Sequence, residues 1–265
     1  MLVPGDRFEG YVVDRLLGHG GRALVYRAHE WVEPDRIVAL KVLHERRRGH
    51  SDLARLHREF DLGRSVDHPH VVTMYDAGPD WLAMDFLDGG PLTNVVTMSE
   101  RLAALGQIAD ALDHIHRRGI VHCDVKPTNI LTHKDFRSGG AVLIDFGAAY
   151  SVADEVTEPP TRVEASLPYS APELLTGRAP TAAVDEYALA CTAVEVICGA
   201  PPFRTKTAME LMDAHLRRPP PQLSRKLSWI PRAFDSILAK ALAKNPESRY
   251  QSCEEMIRLL SRTLY

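Results

Sequence analysis

No apolar run in this 265-residue chain approaches the roughly 20 residues that a helix needs to cross a bilayer, and no secretory leader opens it. Charge of one sign is missing too. Its 32 Lys and Arg against 35 Asp and Glu leave a formal net charge of -3, so whole-chain electrostatics does not draw nucleic acid. The four cysteines, Cys123, Cys191, Cys198 and Cys253, form no C-x-x-C pair and no Cys/His cluster at zinc-like spacing. They read as thiols of a reducing, cytoplasmic compartment, with Cys191 and Cys198 in an apolar helical run. There is no internal repeat and no low-complexity tail. What is present, 45% hydrophobic and 25% charged residues, describes an ordinary folded chain of one large domain or two lobes.

The first third is β-rich. FEGYVVDRLLG, ALVYRAHEW, RIVALKVL, HPHVVTMYDAG and WLAMDFLDGG are extended or alternating. Between them, residues 51–66 switch to helical spacing with Leu53, Leu56 and Phe60 on one face. Gly89-Gly90 mark a joint, after which the chain turns mostly helical. Thr97-x-x-Glu100 is a capping box opening a helix with Leu102, Leu105, Ile108, Leu112 and Ile115 as its apolar stripe. AVDEYALACTAVEVICG is apolar nearly all round and predicts a buried helix. Ser252-x-x-Glu255 caps a final helix, and prolines 219–221 mark a loop.

Four stretches carry chemistry. In LLGHGGRALVY, Gly18 and Gly20 open a loop whose backbone N–H groups could approach phosphate oxygens, although Ala23 stands where a third glycine would complete the pattern. A plain hairpin turn explains it equally well. In VALK, Lys41 shares a strand face with Ala39; placed in a phosphate pocket it would need an anionic anchor, and Glu59 on the next helix is the natural one. HCDVKPTNIL sets Asp124, Lys126 and Asn129 on one loop. The aspartate could accept a hydroxyl proton, the lysine neutralise a phosphoryl group and the asparagine oxygen ligate Mg²⁺. VLIDFGAA places Asp145 between an apolar strand and a glycine, an oxygen ligand suited to the same hard ion.

In this order, G-H-G-G-R-A-L-V, V-A-L-K, Glu59, H-C-D-V-K-P-T-N, D-F-G and A-P-E (171–173) resemble the signature set of the protein kinases, closest to the bacterial eukaryotic-like serine/threonine kinases. D-E-Y-A-L-A (185–190), G-A-P-P-F (199–203) and A-K-N-P-E-S-R-Y (243–250) extend the likeness to the last helix. It implies an α+β, two-lobed fold: a small antiparallel β-sheet lobe with one main helix, about residues 1–87, and a larger helical lobe, 88–265. It further implies ATP and Mg²⁺ as cofactors. Gly18, Gly20, Val25, Ala39, Met84 as gatekeeper, and the backbone of Asp85 and Leu87 would bind the nucleotide between the lobes. Lys41, positioned by Glu59, would hold its phosphates, and Asn129 and Asp145 would bind the metal. Asp124 would orient and deprotonate the acceptor, Lys126 would steady the γ-phosphate, and Arg249 would pair with Glu173. Lys126 and Ser166 favour Ser/Thr hydroxyls of protein substrates, with autophosphorylation. Kinases of this kind often pair through the small lobe, so a homodimer is an open alternative.

Departures from the pattern carry expectations of their own. Cys123 stands where the family has an arginine that holds a phosphorylated loop residue, so activity should not need an arginine-pinned phosphate on residues 148–170; Thr157 and Thr161 are the hydroxyls to test. Ala190 replaces a glycine in the buried-helix motif. Gly63 lies one turn after Glu59 where an apolar residue is usual, which predicts a loosened helix. HERRRGH (44–50) reads as a solvated loop. Two competing functions are a nucleotide-binding pseudokinase scaffold and a small-molecule phosphotransferase, the latter disfavoured by the A-P-E segment and its arginine.

Overall fold

The computed structural model describes residues 1–152 and 166–264. They fall into two compact units, Met1–Asp88 and Gly89–Tyr265.

In the first unit the period-two alternation becomes β1 (Arg7–Phe8), β2 (Tyr11–His19), β3 (Ala23–Glu30) and β4 (Ile37–Leu43), then α1 (His50–Arg64), β5 (Met74–Ala77) and β6 (Trp81–Asp85). The strands make one antiparallel sheet in the order β1-β2-β3-β4-β6-β5. Alternation sends Val13, Leu24, Tyr26, Val38, Leu40, Val42 and Trp81 into one core. Each large apolar side chain buried in this layer stabilises the unit by about 1.5–3 kcal/mol. The opposite face is set by the same register. Val25 lies across from Lys41, Ala39 from Met84, and Lys41 from Leu82, and directly opposed residues share a face. Helix α1 packs against β5 and β6, burying Leu56, Glu59 and Phe60.

Two expectations are corrected here. The strand read through HPHVVTMYDAG begins only at Met74; upstream, His70 N–H donates to His68 Nδ1 (3.2 Å), a local bond that competes with ladder pairing. Nor does Gly63 leave a hole beneath α1. A Cβ there would lie 2.8 and 2.9 Å from Cε and Cγ of Met74, so the methionine already fills the space. The basic stretch after β4 forms a short exposed turn over Glu45–Arg47, and Arg48 pairs with Asp80 at 2.7 Å.

The second unit opens with β7 (Gly90–Pro91) and α2 (Met98–His116), continues through β8 (Ile120–Val121), β9 (Ile130–Thr132), α3 (Phe136–Gly139), β10 (Ala141–Leu143) and β11 (Tyr150–Ser151), and resumes with α4 (Pro172–Leu175), α5 (Ala182–Cys198), α6 (Ala208–Arg217), α7 (Arg232–Ala241) and α8 (Cys253–Arg262). Gly89 N–H donates to Thr132 O (2.8 Å), and a Cβ at Gly89 would sit 2.6 Å from that oxygen, so the approach requires glycine. Thr97 Oγ1 accepts from Glu100 N–H and its hydroxyl donates to the Glu100 carboxylate, starting α2. The five-residue apolar stripe of α2 is buried against α5 and α8. Helix α5 is buried nearly all round and ends at Gly199, whose φ of +82° favours glycine. Cys191 is in this core and Cys198 is half-buried.

Candidate active site

Strand register in the first unit brings together several of the residues expected to bind nucleotide, while Gly20 lies in the turn after β2 and Leu87 beyond the end of β6. Gly18 pairs with Val25, and Val25 with Lys41; Ala39 and Met84 pair next along. Lys41 Nζ donates to both carboxylate oxygens of Glu59, at 2.6 and 2.8 Å. Glu59 is only 3% exposed, so this ion pair is largely desolvated, and removing either partner strands a buried charge. The glycine turn is tied at its base. Gly20 N–H donates to Ala23 O (2.9 Å) and His44 N–H to Arg22 O (2.9 Å), with His44 Nε2 at 3.0 Å from Gly20 O. At Asp85 the N–H is engaged by Thr73 O (2.9 Å), which leaves the carbonyl as the backbone group a ligand could meet. The Asp85 carboxylate accepts from Tyr75 OH (3.0 Å), and burial together with Asp85 pushes the Tyr75 phenol up to about 12.

The second unit brings Asp124, Lys126, Asn129 and Ser166 into one network. Lys126 Nζ donates to Asp124 Oδ2 (2.7 Å) and to Ser166 Oγ (2.8 Å), and Ser166 Oγ donates to Asp124 Oδ1 (3.1 Å). Asn129 Nδ2 donates to the backbone oxygen of Asp124 (2.9 Å) and to its Oδ2 (3.0 Å). Both Asn129 donors are thereby spent on Asp124, so its Oδ1 is the atom available to a cation. Ladder pairing of β9 with β10, Ile130 opposite Leu143, and a bond from Ile144 N–H to Asn129 O (2.9 Å) place Asn129 and Asp145 at the same end of one hairpin. Asp145 holds a left-handed φ of +68° with its side chain accepting from Gly147 N–H. An amide and a carboxylate oxygen form a hard donor set that fits Mg²⁺. Ser166 is seated by the turn Leu167–Tyr169 that follows it. There Tyr169 OH donates to Glu195 at 2.5 Å, and burial with that carboxylate raises the phenol strongly.

What holds this loop was not read from the sequence. Asp185, fully buried, accepts from the backbone N–H groups of His122 and Cys123, both at 2.7 Å, and from His116 Nε2 at 2.8 Å. His122 is also fully buried. Its Nδ1 takes Asp124 N–H (3.3 Å), so Nε2 carries the proton and donates to Ile144 O (3.1 Å). The ring thus joins the Asp124 loop to the strand leading to Asp145. The available signals were the aspartate of D-E-Y-A-L-A (185–190), singled out by the resemblance without its partners, and His116 at the end of the apolar α2. Cys123 sits between these anchors at φ +64°, a region costly for a non-glycine residue. Beyond the loop, Arg249 pairs with both Glu173 oxygens at 2.6 and 2.8 Å and donates to Ala183 O and Ala243 O. Thr157 and Thr161 lie outside the described residues.

Residues 11–259 match the protein kinase domain family. The chain belongs to that family. Among curated relatives, serine/threonine-protein kinase PknJ of Mycobacterium tuberculosis is 34% identical over 279 residues, covering 100% of this chain and 47% of the relative. Serine/threonine-protein kinase PknD of the same organism is 38% identical over 266 residues, covering 95% of this chain and 39% of its own length. The chain therefore spans about half or less of the length of these two relatives. The crystal structure of the Mycobacterium tuberculosis PknI kinase domain superimposes with a TM-score of 0.75 at 31% identity, covering 99% of this chain and 100% of that one. The α+β class and kinase fold expected from the motifs are those of the structure. A protein kinase domain implies ATP-dependent phosphoryl transfer. Among the described residues, no helix is long and apolar enough to cross a membrane.

Proposed function

We propose that the chain is an active serine/threonine protein kinase domain that moves the γ-phosphoryl group of ATP to hydroxyls of protein substrates and of itself. The observation that carries this reading is the clamp on Asp124. Lys126, Ser166 and Asn129 all donate to its carboxylate, orienting it as a base for an incoming hydroxyl instead of leaving it as a solvated turn residue. Lys41, held by Glu59, binds the nucleotide phosphates, while Gly18, Gly20, Val25, Ala39, Met84, Asp85 and Leu87 supply the rest of the nucleotide surface. Asn129 and Asp145 hold Mg²⁺, which neutralises charge on the transferred group. Lys126 steadies the γ-phosphate as Asp124 accepts the hydroxyl proton. The lysine two residues after the aspartate and the hydroxyl of Ser166 support Ser/Thr over Tyr acceptors. The two units are the small and large lobes of such a domain. The reading also takes the cytoplasm as its compartment and allows pairing through the first unit, where Trp31 and Val32 are exposed.

Transfer of radiolabelled phosphate from Mg-ATP to a Ser/Thr-rich protein tests the assignment. The wild-type chain should label itself and the substrate, and Asp124→Asn should lower the rate by about 10²–10⁴-fold with ATP binding retained. ATP binding by a wild type that transfers nothing would support a scaffold role instead.

A further inference from the structure

We infer that Asp113, His116 and Cys253 form a binding site for one zinc ion where α2 meets α8. Asp113 and His116 are one turn apart on α2 and leave the helix on one face. Cys253 is the first residue of α8, which packs on α2. One potential ligand atom from each residue lies within 4.8 Å of the other two. An ion centred among them would be no more than about 2.8 Å from any, against bonds of about 2.0–2.3 Å, so closure of less than about 1 Å supplies three protein ligands, the number found in zinc sites whose fourth position is left to water. The linear spacing, with Cys253 far along the chain, hides this group from any search for adjacent zinc ligands.

The hydrogen bonding of His116 points the same way. Its Nε2 is 2.8 Å from Asp185 Oδ2, an acceptor, so Nε2 carries a proton and Nδ1 is the ring nitrogen left to face an ion. Nδ1 faces Asp113 Oδ1 at 3.9 Å, beyond hydrogen-bond reach and a separation at which both atoms could bind one ion. Asp185 takes the part of the outer carboxylate that orients a metal-bound histidine. Asp113 keeps capacity for the ion while accepting from Cys253 N–H (2.9 Å) and Glu254 N–H (3.0 Å), because each carboxylate oxygen has a second lone pair. The Cys253 thiol is buried and hydrogen-bonded to Asp113, so an ion bound here must displace the thiol proton to gain the sulfur as a ligand. A sulfur, nitrogen and oxygen donor set selects zinc over Mg²⁺ or Ca²⁺, which suit the all-oxygen pair at Asn129 and Asp145. Because Asp185 also holds His122 and Cys123, zinc on His116 would stiffen the anchor of the Asp124 loop.

Cobalt reports on this site because thiolate ligation gives a near-ultraviolet charge-transfer band that oxygen ligation does not. The full chain, stripped by chelator and kept in excess Mg²⁺, should develop the band with one equivalent of Co²⁺ and lose it to Zn²⁺. Cys253→Ser should abolish the band and weaken binding by more than about 100-fold, beyond the cost of losing an outer-shell partner; Cys123→Ser should leave it intact. Should the buried substitution prevent folding, zinc-edge X-ray absorption of the wild type decides, with one sulfur neighbour at about 2.3 Å expected. No thiolate band, a band that follows Cys123 instead, or a spectrum of oxygen and nitrogen alone would mean an imidazolium between two aspartates and overturn the assignment.

Discussion

Asp185 is a single buried carboxylate with three donors aimed at it, from His116, His122 and Cys123. In Asp185→Asn one oxygen becomes an NH₂ group facing N–H donors. Each donor left unmatched in the interior costs about 1–3 kcal/mol. The variant should therefore unfold at lower urea concentration and lose phosphoryl transfer beyond what its stability explains, since the backbone before Asp124 is released. At Cys123 the thiol is buried and can offer no guanidinium to a phosphate. The double variant Thr157→Ala, Thr161→Ala should keep most of the wild-type rate in a labelled-phosphate assay; a collapse would show that the loop needs its phosphates despite Cys123.

Element packing makes different demands. The contact between α1 and β5 rests on Gly63 leaving room for Met74. Gly63→Ala gains about 1 kcal/mol of helix propensity but forces a Cβ within 3 Å of Met74 Cγ as well as its mobile end, and overpacking costs about 1–3 kcal/mol. The net change should be destabilising in chemical denaturation. In a Met74→Ala background the same substitution should become stabilising, a reversal measured by the double-mutant cycle. The link from α4 to the segment after α7 is stiffer. Arg249 and Glu173, 2% and 5% exposed, form a bidentate pair, and Arg249→Ala leaves a buried carboxylate alone. A loss of about 3–5 kcal/mol is expected by denaturant titration.

Over the molecule as a whole, buried titratable groups set how stability follows pH. His215 on α6 is fully buried against Tyr187 of α5 and Phe203, its Nδ1 at 3.0 Å from Tyr187 OH, and burial with nearby Lys244 pulls it down to about 4. As pH falls through about 6.5 the unfolded chain takes up this proton while the folded chain waits until about 4. Within that window acid favours unfolding by up to about 1.4 kcal/mol per pH unit from this group. Glu186 works in the opposite sense. Burial raises it to about 8, so it favours the folded state at low pH and that contribution is lost as pH rises through about 8. Subtracting the His215→Gln stability profile from wild type isolates the histidine: the difference should fall between about pH 6.5 and 4 and stay flat above.

The chain order alone carried the family and the fold class, and it named most of the candidate site. Glycine spacing, V-A-L-K, H-C-D-V-K-P-T-N and D-F-G are local patterns, and local patterns encode chemistry through residue type and period. Strand alternation even implied that Ala39 and Lys41 share a face. What a linear pattern cannot encode is which distant side chain fills a space or meets a buried donor. Met74 beneath Gly63, Asp185 beneath the Asp124 loop and Cys253 beside His116 are such cases. Their partners are brought together by helix packing and strand register, so the tertiary structure decided them.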